Sequence, residues 1–184
     1  MLSAEERAKS ARPLLDARGT PSEPVDDYVR RVREGLLSAW PEEVVINWIY
    51  RHSNQVEDWS FLPFERFTFE LATWPVGSLP GREAFRDPRF FDSFSQRLDE
   101  RATANKHDWL AHYMLQRGTW NTPPILLEHL EPQYQDDNGR MLRVPYQLLE
   151  GHRRLSFAGY LRMTGLAKPQ HQIWVVRSAD AIVR

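Results

Sequence analysis

Apolar residues recur at helical spacing through the first two thirds of the chain, and compact apolar runs of strand length gather in the last third. Residues 1–23 are polar and broken by Pro13, Gly19 and Pro21, with Pro24 next, which predicts a short helix and then a flexible connection. Val25, Tyr28, Val29, Val32 and Leu36 share one face of an amphipathic helix over 25–38. Pro41 opens a second helix. Glu42 and Glu43 occupy its first turn, where the helix dipole favours acids, and Val44, Val45, Trp48 and Ile49 form its buried stripe. Phe67, Phe69 and Leu71 alternate as in a short strand, and two prolines and two glycines between Trp74 and Gly81 predict a loop. Asp87-Pro88 has the form of an N-cap followed by proline at the first helical position, with Phe90, Phe91, Phe94 and Leu98 carrying the helix to about residue 101. A further helix places Trp109, Leu110, Tyr113 and Met114 on one face and stops at Gly118.

From Pro123 the texture changes. Ile125 to Leu130 is a compact apolar run and predicts a strand; Asp136-Asp137-Asn138-Gly139 marks a turn; Val144 to Leu149 predicts the next strand. Leu155, Ala158 and Leu161 continue as a helix closed by Gly165, and Ile173 to Val176 is the last strand. The strand, helix and strand at the end suit a right-handed crossover. No internal repeat or low-complexity tract is evident.

Composition narrows the chemistry. With 41% hydrophobic residues among 184, the chain can bury a core. It has no cysteine, which excludes disulfides, thiolate metal sites and cysteine nucleophiles. No run of 18 apolar residues exists to span a membrane, and the N-terminus lacks the apolar core of a signal peptide, so a soluble cytoplasmic protein is expected. The net charge of −1 conceals an asymmetry. Residues 140–184 carry Arg140, Arg143, Arg153, Arg154, Arg162, Lys168, Arg177 and Arg184 against only Glu150 and Asp180. A basic excess of this kind focuses phosphate-bearing ligands, and arginine suits bidentate contact with them; solvated surface is the plainer account of any single one.

Glu150-Gly151-His152-Arg153-Arg154 joins the second strand of this region to its helix. Backbone N–H groups in a first helical turn have no internal partner and carry partial positive charge, which makes an anion site. Gly151 permits close backbone approach, His152 donates a hydrogen bond or takes a proton near neutral pH, and Arg153 and Arg154 can clamp phosphate oxygens. Cations at a helix N-terminus are locally unfavourable, and an anion bound there explains them.

This stretch resembles the ParB/sulfiredoxin superfamily, whose pattern is an apolar strand, an acidic or small residue, Gly-His-Arg-Arg or a near variant, and a helix. Pro123-Pro124-Ile125-Leu126-Leu127 resembles the Pro-Pro-Ile strand of sulfiredoxins, and Ile173-Trp174-Val175-Val176 their closing strand. The resemblance covers roughly residues 104–177. It implies an α+β fold in which a helical N-terminal region, 1–103, packs on a small mixed-sheet ParB/sulfiredoxin-like domain, 104–184. It also implies nucleotide phosphate binding, ATP or CTP with Mg2+, at Gly151, His152, Arg153 and Arg154, and a phosphate contact from Lys106, placed like a lysine of the sulfiredoxin helix before the Pro-Pro-Ile strand; a solvated Lys106 is the plain alternative.

The departures matter as much. The reactive cysteine of sulfiredoxins matches Gly151, so sulfinic acid reduction is ruled out. Partitioning proteins carry a helix-turn-helix domain after the motif, and the 30 residues that follow Arg154 leave no room for one. Two functions remain. One is a nucleotide-binding enzyme, an NTP hydrolase or phosphotransferase acting with a divalent cation, with Glu150 as base or metal ligand and His152 beside it. The other is a non-catalytic binding module that engages a protein partner or DNA, in which Glu150 only pairs with Arg153 or Arg154. His107 and His112 are poorly spaced for a shared metal, and His107 and Asp108 read as surface. Asp136 and Asp137 read as a solvated turn. Most of the aromatic residues read as core, with Trp120 the exception to watch as a base-stacking residue.

Overall fold

The structure, a computed structural model, describes residues 2–131 and 134–179. Asp180 and Arg184, counted in the basic C-terminal segment, lie outside the described residues. The fold is α+β, with eight α-helices and a four-stranded mixed sheet among the described residues. Contacts divide the chain into two compact units: the described parts of residues 1–69, 133–142 and 177–184, and those of 70–132 and 143–176. The expected division at residue 103 falls inside the second unit, in the last turn of a helix.

The first unit opens with α1 (Ala4–Ala11), where the Ser3 hydroxyl accepts from the Glu6 N–H and the Glu6 carboxylate accepts from the Ser3 N–H. The amphipathic helix α2 (Val25–Arg33) is shorter than its pattern predicts. Beyond it the N–H groups of Gly35 and Leu37 both donate to the Val32 carbonyl, and this tightening turns Leu37, rather than Leu36, into the core. The helix opened by Pro41 begins as α3 (Glu42–Val44) and widens into a π-helical segment, Val45–Tyr50. Its predicted stripe of Val44, Val45, Trp48 and Ile49 is fully buried. After α4 (Val56–Trp59), an aromatic cluster of Trp40, Trp48, Phe64 and Phe67 fills the interior, and the Trp40 indole N–H donates to the Phe64 carbonyl at 2.9 Å.

The sheet has the order β1-β4-β2-β3, with β1 at Phe67–Pro75, β2 at Ile125–Glu128, β3 at Tyr146–Glu150 and β4 at Gln170–Ser178. β2 runs antiparallel to β3 and parallel to β4. β3 and β4 therefore oppose one another across β2, and the expected parallel crossover between them does not form. β1 also runs on through Trp74 and Pro75, where a loop was expected; it is an edge strand, and an edge tolerates a residue with no N–H to give. β2 is shorter than its apolar run, for Leu130 lies outside it and is exposed.

Four helices complete the second unit. Asp87 caps α5 (Pro88–Ser95) by accepting from the Arg89 N–H at 3.0 Å, as predicted. The chain breaks at Gln96 and Arg97 instead of continuing to residue 101, and resumes as α6 (Leu98–Ala104) with Leu98 still buried. α7 (Trp109–Arg117) and α8 (His152–Thr164) end on left-handed glycines, Gly118 and Gly165, at the stops that were predicted. Trp109 departs from the buried face expected of α7 and points to solvent. Leu126, Leu148, Phe157, Leu161, Ile173 and Val175 lie in the core between sheet and helices. α8 lies close against α5 at Gly159, where a Cβ would come within 2.9 Å of the Phe91 ring. That approach sets the aromatic face of α5 beside the first turn of α8.

Candidate functional site

β3 leads directly into the turn that opens α8. Gly151 is the N-cap, at φ 97°, a conformation that L side chains rarely adopt. A Cβ on Gly151 would lie 2.5 Å from the Cβ of Pro124. Ile125, next to Pro124, pairs with Glu150, next to Gly151. Strand register thus presses the Pro-Pro segment against the glycine turn, and only glycine fits between them. The first turn of α8 contains no acid, and its first three residues are His152, Arg153 and Arg154.

Each of the two arginines meets a carboxylate of the chain. Arg154 forms an ion pair with Glu150 one turn back, both side chains nearly buried, and its other amino group donates to the Thr122 carbonyl at 2.8 Å. Arg154 is therefore a clamp between the turn and the segment before β2. Arg153 donates through Nη2 to Asp108 Oδ2. Its guanidinium lies 5.4 Å from the Phe157 ring and 5.9 Å from that of Phe94, it keeps 37% side-chain exposure, and its Nε has no hydrogen-bond partner.

Asp108, read as surface from sequence, is buried and is the hub of this group. It caps α7 by accepting from the Ala111 N–H at 3.2 Å, and Arg101 approaches its Oδ2 at 3.5 Å while lying over the Phe94 ring at 4.5 Å. Burial pushes the Asp108 carboxyl up, but the hydrogen bond from Arg153, the Ala111 N–H, the Arg153 charge and the Arg101 contact together outweigh it and hold it below its ordinary value. The sequence signal for this role was present: an aspartate just ahead of an apolar helical stripe is an N-cap pattern.

His152 is the first helical residue, half-buried, with its ring edge-on to Phe85 at 5.6 Å and to Phe90 at 5.4 Å. Lys106 is exposed in the turn between α6 and α7, not on a helix, two residues before Asp108. Gly151, His152, Arg153, Arg154 and Glu150 thus form one local group, and Asp108 links it to the turn that carries Lys106. Trp120 is not available for stacking: it is buried, its indole N–H donates to the Gln172 carbonyl at 2.8 Å, and its ring packs on His171. His171 in turn joins Thr119 through Nδ1 at 2.9 Å and the Lys168 carbonyl through Nε2 at 3.0 Å. Asp136 is a buried turn residue whose Oδ1 accepts from the Asn138 and Arg140 N–H groups.

The residues suit one implied ligand better than the other. A glycine turn, a helix N-terminus and a half-exposed arginine suit a phosphate. Mg2+ takes near-octahedral oxygen coordination and is commonly held by one or two carboxylates together with substrate phosphates. No cluster of three His, Asp or Glu that could hold a metal occurs among the described residues, and Glu150 and Asp108 are each bound to arginine, so they do not form a prepared cation site. Comparison with protein-family models, curated proteins and solved structures finds no match.

Proposed function

We propose that this chain binds nucleotide phosphate at the first turn of α8, in the manner that its resemblance to the ParB/sulfiredoxin superfamily implies. The observation that carries the reading is Gly151: a left-handed N-cap, packed against Pro124, at the head of a 13-residue helix whose first turn holds two arginines and no acid. Arg153 is the residue that reaches for phosphate, because its guanidinium is held by a single hydrogen bond, to Asp108, and over a third of its side chain is open. Asp108 occupies that arginine until the ligand arrives, and Gly151 and His152 supply the backbone around the anion. Arg154 holds the turn to Thr122 and acts on the ligand only through its charge.

A second reading, binding without turnover, is favoured by the pairing of Glu150 with Arg154, since a base must have its oxygen free to receive a proton. In that form the domain serves as a nucleotide-dependent module toward a protein partner or DNA.

The test is a thermal-shift screen of ATP, CTP, GTP and their diphosphates, with and without Mg2+, followed by titration. A ligand at 100 times its Kd adds about 2.7 kcal/mol of apparent stability. At least one nucleotide is expected to stabilise the parent. Arg153→Ala is expected to bind it about tenfold or more weakly, the effect of losing a hydrogen bond to a charged group. Failure of every nucleotide to stabilise the parent overturns the reading. Phosphate release above background that Glu150→Gln abolishes restores the enzyme in place of the module.

A further inference from the structure

We infer that Trp109 is the stacking platform for the base of the bound nucleotide. The inference rests on the phosphate site proposed above and adds to it the part that recognises the rest of the molecule.

Of the seven tryptophans, Trp109 alone is exposed, at 60%, whereas Trp40, Trp48, Trp59 and Trp120 are buried and Trp74 and Trp174 are half-buried. A single exposed apolar residue needs no explanation in itself. Its place is what matters. Trp109 is the first residue of α7, directly after Asp108, the carboxylate that receives Arg153 from the head of α8. Arg101 approaches the same carboxylate, and Lys106 and His107, both exposed, precede it in the turn. An open aromatic ring therefore stands one residue along the chain from the carboxylate that Arg153 and Arg101 approach, and three residues after Lys106. Asp99 and Glu100 sit in the first turn of α6, at the far end of that helix from Lys106.

A nucleotide combines what these residues can pair with, negative charge for the arginines and a flat π face for the indole. Phosphates at Arg153 and the first turn of α8 leave the base to reach toward the start of α7. Stacking on an aromatic side chain contributes about 1–3 kcal/mol per base and tolerates every base, because each has a π face. Recognition by Trp109 is thus expected to be broad, with purines favoured over pyrimidines by their larger stacking area.

The experiment is calorimetric titration of the full chain with ATP, CTP and tripolyphosphate, the last carrying charge without a base. Parent, Trp109→Ala, Trp109→Phe and Arg153→Ala are compared at one Mg2+ concentration, with circular dichroism to verify folding. Trp109→Ala is expected to bind ATP about tenfold more weakly, within the stacking range, while tripolyphosphate affinity stays at the parent value. Trp109→Phe is expected to keep most of the ATP affinity, and Arg153→Ala to bind both ligands about tenfold or more weakly. If Trp109→Ala binds ATP like the parent while Arg153→Ala weakens both ligands, the inference is overturned and the phosphate site stands. If Trp109→Ala weakens ATP and tripolyphosphate equally, Trp109 merely supports the Asp108 turn, and the inference is again overturned. A parent that binds neither ligand removes the phosphate site and the inference with it.

Discussion

Two arginines of this chain meet carboxylates in opposite ways. Arg7, in the first unit, is only 7% exposed at its side chain, and its guanidinium is used up: Nε and Nη2 donate to the two oxygens of Glu65 at 3.0 and 3.2 Å, and Nη1 lies 3.4 Å from the Ser60 carbonyl. Arg153, in the second unit, makes one hydrogen bond to Asp108, rests on two aromatic rings, leaves Nε without a partner and keeps a third of its side chain in water. Both pairs are long-range in sequence. The difference teaches that an ion pair is not one kind of object. A guanidinium closed on all sides is structure, because any other partner must first break bonds that nothing else can satisfy. A guanidinium held at one point, with open area beside it, can exchange one anion for another at small cost.

The sharpest way to break the comparison is Arg7→Ala. Removing one partner of a buried pair leaves the other charge without compensation, which costs about 3–5 kcal/mol when burial is complete. Glu65 retains 26% exposure, so a loss of about 2–4 kcal/mol is expected, read as a lower midpoint in urea unfolding at unchanged slope. Burial pushes the Glu65 carboxyl up, but the Arg7 hydrogen bond, a backbone N–H and the charges of Arg7 and Arg66 hold it below its ordinary value, so its ionised form belongs to the folded state. A loss below about 1 kcal/mol, the range of surface pairs, would show that Arg7 is no more structural than an exposed residue.

Gly151→Ala comes next. It forces an alanine into φ 97° and drives its Cβ to within 2.5 Å of Pro124. Backbone strain of this kind costs about 1–3 kcal/mol before the clash with Pro124 is counted. A stability loss of about 2–3 kcal/mol is expected by urea unfolding, with nucleotide affinity falling as the turn is displaced. A variant as stable as the parent would mean that the turn relaxes freely, and the glycine would cease to define the site.

The turn at Gly151 was legible in the sequence because its causes are local. An apolar strand, a glycine, a pair of arginines and an apolar helical period follow one another within twenty residues; the helix forms where they predict, and the strand begins at Tyr146, two residues later than Val144. The helix stops at Gly118 and Gly165 and the cap at Asp87 were legible for the same reason. What escaped is what distant residues decide. Asp108 stands 45 residues from Arg153, and nothing in its neighbourhood says which cation will reach it. Trp109 fits the apolar stripe of α7 by spacing, yet the packing of α7 leaves it outside, while Trp120, in a loop, is buried with its indole N–H satisfied by the Gln172 carbonyl. The strand direction of β4 was likewise settled by its pairing with β2, which the order of elements along the chain does not determine.

Arg153→Ala carries the smallest expected effect and is the closest test of the comparison. The variant loses a hydrogen bond to Asp108 and the packing of a guanidinium on Phe94 and Phe157. It does not orphan Asp108, which keeps the Ala111 N–H and the approach of Arg101. Arg153 is partly exposed and Asp108, though buried, keeps its other contacts, so a loss of about 1 kcal/mol, at the top of the range for exposed pairs, is expected at neutral pH. The pH dependence supplies an independent reading. In the parent the Asp108 carboxyl titrates below its unfolded value, so the unfolded chain binds more protons in acid and stability is lost as pH falls. That contribution is fully present above the unfolded pKa of about 3.9 and disappears as pH drops through the lower folded value. Arg153 is the strongest influence that lowers this carboxyl, so the variant has less to lose in acid. The stability gap between parent and variant is therefore expected to be widest above about pH 4 and to narrow below it, followed by urea midpoints at pH 7, 5, 4 and 3. A gap as large as that of Arg7→Ala would make Arg153 structural and leave no arginine poised at the first turn of α8. A gap that stays constant down to pH 3 would mean that the pair with Asp108 contributes nothing and that the packing on Phe94 and Phe157 is the whole effect.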